Sequence, residues 1–144
     1  MAAEPVTAAV HIDAAPEEVY EYFVDAQAMV RWMGQRARLD PRPGGEFAVD
    51  VNGSEVRGRF VELDPPHRLV VTWGFSGSDV LAPGTSTVEV HLRPEGSGTI
   101  VEIVHRDLPA DEWAGHERGW RHFVGRLDTA VAAVGAAPGD RAPR

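Results

Sequence analysis

The chain has 144 residues, 14 basic and 22 acidic, for a net charge of −8, and it contains no cysteine. That length fits one domain, read as residues 1–134 with a disordered tail over 135–144. The missing cysteines remove disulfides, thiolate metal sites and cysteine nucleophiles, and the acidic balance repels nucleic acid and anionic lipid. All the basic residues are arginine, so Schiff-base and P-loop lysine chemistry is excluded as well.

The first elements follow from periodicity. Val6, Ala8, Val10 and Ile12 alternate with Thr7, Ala9 and His11, the period-2 mark of a half-buried strand. Pro16 then suits a first helical position, with Glu17 and Glu18 where the helix dipole favours anions. Val19, Tyr20, Phe23 and Val24 supply the apolar face of that helix. A second short helix is predicted from Ala26 to Trp32. Arg36 to Gly45 reads as an Arg- and Pro-rich connection closed by the turn signal Pro43-Gly44-Gly45.

Strand patterns follow. Phe47, Val49 and Val51 alternate with polar neighbours, and Asn52-Gly53 predicts a tight hairpin. Further strands are predicted over Glu55 to Leu63, Arg68 to Trp73, Thr87 to Arg93 and Thr99 to Arg106. Pro94 to Gly98 is read as a turn, and Gly74 to Ser86 as a loose, mobile loop. Pro109 to Val134 reads as one long helix, in which Trp113, His116, Trp120, Phe123, Val124, Leu127, Val131 and Val134 recur at helical spacing. Helices segregated from strands make the class α+β. The arrangement expected is a curved antiparallel sheet of six to seven strands wrapped around the long helix, with two short helices after the first strand.

Ordered matches along the chain carry a family resemblance. They are Ala15-Pro16-Glu17-Glu18-Val19-Tyr20, Arg31-Trp32-Met33, Pro43-Gly44-Gly45-Glu46-Phe47, and the stretch from Gly58 through Asp64-Pro65-Pro66 to Thr72-Trp73. Ser86-Thr87-Val88-Glu89-Val90, Gly98-Thr99 through Val104-His105, and Gly119-Trp120 complete them. In this the chain resembles the activator-of-Hsp90-ATPase-homologue-like branch of the START-like SRPBCC superfamily, over about Val6 to Val134. The resemblance implies a helix-grip fold with an apolar cavity, and small-molecule binding without a fixed catalytic set.

No catalytic signature is complete. His116-Glu117 opens an H-E-x-x-H pattern, but Trp120 stands where the second histidine belongs. His116 shares the apolar stripe of Trp113 and Trp120, and reads either as a polar handle in a cavity or as a core or rim histidine satisfied by backbone or water. Face parity turns His105 towards the concave side, where it would converge with His116; the alternative is a strand-end histidine meeting solvent. The indoles of Trp32, Trp73, Trp113 and Trp120 divide between core and pocket wall, with Trp120 assigned to the core. Arg31, Arg36, Arg38 and Arg42 form a local basic segment, read as a solvated loop or as a greeting for an anionic ligand.

The function expected is binding of a hydrophobic or aromatic small molecule between sheet and helix. The lining residues would be Trp32, Phe47, Val49, Phe60, Leu69, Val71, Trp73, Val101, Ile103, His105, Trp113, His116 and Phe123. No metal or cofactor is expected. Two alternatives stand beside this: a polyketide cyclase- or dehydratase-like enzyme working with His105 and His116, and a chaperone-associated interaction module. No apolar run reaches the roughly 18 residues that cross a bilayer. No signal-peptide pattern precedes the first strand, so the expected compartment is the cytoplasm of a bacterium. A homodimer is the one self-association anticipated.

Overall fold

The alternating stretches become a single open antiparallel sheet in a computed structural model that describes residues 5–135. Its strands are β1 (Val6–Ile12), β2 (Arg36–Leu39), β3 (Glu46–Val51), β4 (Ser54–Asp64), β5 (Arg68–Trp73), β6 (Ser86–Glu95) and β7 (Gly98–Arg106). They lie in the order β1-β7-β6-β5-β4-β3-β2. Consecutive strands β2 to β7 are therefore neighbours, and β1 closes the far edge against β7. Helices α1 (Pro16–Val24) and α2 (Ala26–Met29) carry the chain from one edge of the sheet to the other. The long helix α3 (Ala110–Gly135) returns across one face. This is the α+β helix-grip arrangement.

Period 2 decides which side chains face α3. On β1, Val6, Ala8 and Ile12 are buried; on β7, Thr99, Val101, Ile103 and His105; on β6, Ser86, Val88, Val90 and Leu92; on β5, Leu69, Val71 and Trp73. Register stacks these into rows, such as Val71, Val88, His105 and Val6 across four strands. The β3–β4 hairpin turns at Asn52 and Gly53, whose φ angles of 49° and 90° meet the left-handed geometry that a two-residue turn demands. Gly58 lies where β4 passes close to β5, and a Cβ there would run into the Thr72 carbonyl.

Several boundaries differ from the sequence reading. Arg36 to Leu39, expected as part of a connection, is the edge strand β2, which pairs with β3 from Arg36↔Asp50 to Leu39↔Phe47. Its R-A-R-L alternation is too short and too charged to stand out, yet Ala37 and Leu39 lean on the core. Helix α2 ends at Met29 instead of Trp32. Strand β6 runs on through Pro94, which pairs with Thr99, so the β6–β7 turn is tighter than expected.

Of the segment from Gly74 to Ser86, the residues up to Thr85 form a loop tied to the sheet, and Ser86 already begins β6. Leu81 is buried within it, the Phe75 amide donates to the Leu81 carbonyl, and the Ser76 amide donates to Glu55. The expected tail, beyond Gly135, lies outside the described residues. Among the described residues no helix is long and apolar enough to cross a membrane.

Candidate functional site

The two halves of α3 meet the sheet differently. Val124, Leu127 and Val131 are buried, and α3 packs on the sheet chiefly at β1. Nearer the N-terminus the helix presents Glu112, Gly115, His116, Gly119, Trp120 and Phe123, which recur at three- and four-residue steps along one face. Between that face and Met33, Val51, Ser54, Val56, Trp73 and Phe75 lies a partly open cavity of about 380 Å³. Glycine supplies no side chain at 115 or 119, so the helix wall is bare at two consecutive turns. The opposite wall is aromatic: Trp73 stands 5.2 Å from Trp120 and 6.3 Å from Phe75, centroid to centroid.

A hydrogen-bonded chain closes the floor beneath those rings. The Trp120 indole N–H donates to His105 Nδ1 at 3.0 Å. An indole nitrogen can only donate, so Nδ1 must accept and the His105 proton resides on Nε2. Nε2 then donates to Ser86 Oγ at 2.9 Å. The Ser86 hydroxyl in turn donates to the Trp73 carbonyl at 2.9 Å. His105 is fully buried, and burial, with His116 beside it, pushes its pKa down to about 3. The imidazole is therefore held neutral, in one tautomer, with both nitrogens occupied.

His116 is placed otherwise. Its ring lies 5.1 Å from that of His105 in an edge-to-face arrangement. Its Nδ1 donates to the Glu112 main-chain oxygen one turn earlier at 2.9 Å, and the Glu112 carboxylate lies 3.6 Å from the same nitrogen. The convergence of the two histidines expected from face parity is thus present, and His105 does not meet solvent. Only His116 faces the cavity.

Of the residues expected to line a pocket, Trp73, His116 and Phe123 do so. Trp32 is sealed beneath α1, its Nε1 donating to the Tyr22 carbonyl at 2.9 Å. Phe47 and Phe60 pack edge-to-face on each other, with Phe47 against Trp73. Val49, Leu69, Val71, Val101 and Ile103 are core residues of the sheet face, and half-buried Trp113 packs against that core. Trp120, which the family resemblance places in the core, is both a buried anchor and a wall of the cavity.

Met33, Val51, Ser54, Val56, Phe75, Glu112, Gly115 and Gly119 line the cavity without having been singled out. The two glycines, four residues apart in an apolar stripe, were the signal available for them. The basic segment is largely spent elsewhere: Arg38 pairs with Glu46 at 3.0 Å and Arg42 with Asp40 at 2.8 Å, both exposed.

Known proteins share this fold. The family described as "Activator of Hsp90 ATPase homolog 1-like protein" matches residues 13–132. The "Activator of 90 kDa heat shock protein ATPase homolog" of Dictyostelium discoideum is 28% identical over 111 residues, which are 76% of this chain and 28% of that protein. An AHSA1-like protein from Rhizobium etli is 38% identical, with a TM-score of 0.71, covering 97% of this chain and 89% of its own. DynU16, described as a putative protein in the dynemicin biosynthetic locus, shares the fold at a TM-score of 0.80 and 24% identity, over 92% of this chain and 48% of that one. The chain thus spans under a third of the curated relative and about half of DynU16. Sheet order, long helix and a match over most of the length together make this chain a member of the Activator of Hsp90 ATPase homolog 1-like family, within the SRPBCC helix-grip superfamily.

Proposed function

We propose that this protein binds an apolar or aromatic small molecule in the cavity between the N-terminal half of α3 and the β3–β5 end of the sheet. The observation that carries this reading is the character of the wall: four aromatic rings, those of Trp73, Phe75, Trp120 and Phe123, with one imidazole among them. A volume of about 380 Å³ falls within the range of small-molecule sites, roughly 300–1,000 Å³. Affinity would come from apolar burial, at about 25 cal/mol per Å².

Binding is favoured over catalysis because His105, the second group that a two-histidine enzyme would need, has no nitrogen left to give or take a proton. A docking role is less well supported. The exposed large hydrophobics among the described residues are Val61, Val80 and Val134, one on β4, one in the loop after β5 and one at the end of α3, and they form no common patch.

The test uses Gly119. A Cβ built there meets no atom within 4 Å and Gly119 lines the cavity, so Gly119→Leu should take up part of its space. Native mass spectrometry of the purified protein should reveal a co-purified small molecule, or calorimetry should register a two-ring aromatic probe. Gly119→Leu should weaken either at least tenfold. Equal binding by a folded Gly119→Leu protein would place the ligand elsewhere.

A further inference from the structure

We propose that the cavity selects an uncharged aromatic or polycyclic molecule that donates a hydrogen bond, a phenol or an alcohol, to Nε2 of His116. We further propose that the Glu112 carboxylate turns anions away from the same place. The inference rests on the binding reading above and names the class of ligand that reading leaves open.

The argument is a census of donors and acceptors around the cavity. The Glu112 main-chain oxygen can only accept, so the Nδ1 bonded to it carries a proton. In the neutral imidazole Nε2 is then a lone-pair acceptor. Among the described residues, the buried side-chain polar atoms without a partner are Tyr20 Oη and Trp73 Nε1. Nε2 of His116 is not one of these, and among the described residues no hydrogen bond reaches it, so its lone pair is free on a ring that lines the cavity.

Donors that could compete are few. The Trp120 N–H is committed to His105, and the Trp73 N–H is buried and without a partner. Ser54 lies exposed at the rim. The remaining polar group is the Glu112 carboxylate, acceptor-only and negatively charged when ionised. A ketone, an ether or a carboxylate is left with the exposed Ser54 hydroxyl and the buried Trp73 N–H as donors, and a carboxylate also meets like charge. A hydroxyl on an apolar ring finds Nε2.

Calorimetry at pH 8, above the ordinary imidazole range, with 2-naphthol, 2-methoxynaphthalene and 2-naphthoate tests this. The wild-type protein should bind the naphthol about tenfold more tightly than the ether, the difference expected of one hydrogen bond, and the naphthoate most weakly. His116→Phe keeps the ring volume and should bring naphthol and ether to within about twofold of each other. Glu112→Gln should strengthen naphthoate binding several-fold and leave the ether unchanged.

Wild-type binding of naphthol and ether with equal affinity overturns the proposal while leaving the binding reading intact, and it needs no variant to fold. Naphthoate binding as tight as naphthol overturns the anion exclusion. Binding of none of the three probes brings down both readings.

Discussion

The long helix has two halves that look alike in the sequence and behave differently in the fold. From Val124 to Val131 its apolar residues are aliphatic and buried, and the groove beside Val124 and Gly125 is walled by β1 with Glu102 and Arg121, without an aromatic ring. From Glu112 to Phe123 the stripe is built from aromatic rings, an imidazole and two glycines, and a cavity remains. Helical spacing tells which face is covered; it does not tell whether the cover fits. Branched aliphatic side chains interdigitate with a strand face at crystal-like density. Large planar rings beside bare glycine positions do not close the gap.

Acid should separate the halves most sharply. Unfolded, His105 takes up a proton near pH 6.5; folded, it refuses one until about pH 3. Falling pH therefore favours the unfolded chain throughout that window. The stability is present above pH 6.5, is lost towards pH 3 at up to about 1.4 kcal/mol per unit, and totals roughly 4–5 kcal/mol. Urea melts from pH 7 to 4 should show this slope, and a His105→Gln protein should show a flatter one. Equal slopes would mean that the buried network does not hold the neutral form.

Next in size is the aliphatic half. Leu127 is fully buried, and Leu127→Ala should destabilise by about 3 kcal/mol through lost burial and the void left behind. Probe binding should remain unchanged at temperatures where the protein is folded. A parallel loss of binding would show that the halves are mechanically coupled.

The smallest effect has the opposite sign. Gly119→Ala adds a methyl group into open space and removes glycine from a helix interior. It should stabilise by about 0.5–1 kcal/mol, read as a higher melting temperature. A destabilised Gly119→Ala protein would mean that the helix backbone at that turn is under constraint.

Most of the fold was legible because period 2 and helical spacing are strong over long stretches: β1, β3, β5 and α3 lie within a residue or two of their expected bounds. Strand β2 was hidden because four residues give only two alternations and both outward positions are arginine. The site was less legible. Trp73, His116 and Phe123 declared themselves through face and stripe. Met33, Val56 and Phe75 come from the chain after α2, from β4 and from the loop after β5, and only long-range pairing such as the Val56↔Phe75 bridge brings them together. Glu112 stands in the first turn of the long helix, and only the fold brings its carboxylate within 3.6 Å of the His116 imidazole one turn later.

The hydrogen-bonded chain from Trp120 through His105 and Ser86 to the Trp73 carbonyl joins α3 to β7, β6 and β5. It acts as a latch. A guest cannot arrive by swinging the helix away from the sheet at that level, because the swing would strand a buried indole donor and a buried imidazole. On the proposed binding reading, the exposed lining residues Ser54 and Gly115 mark the way in.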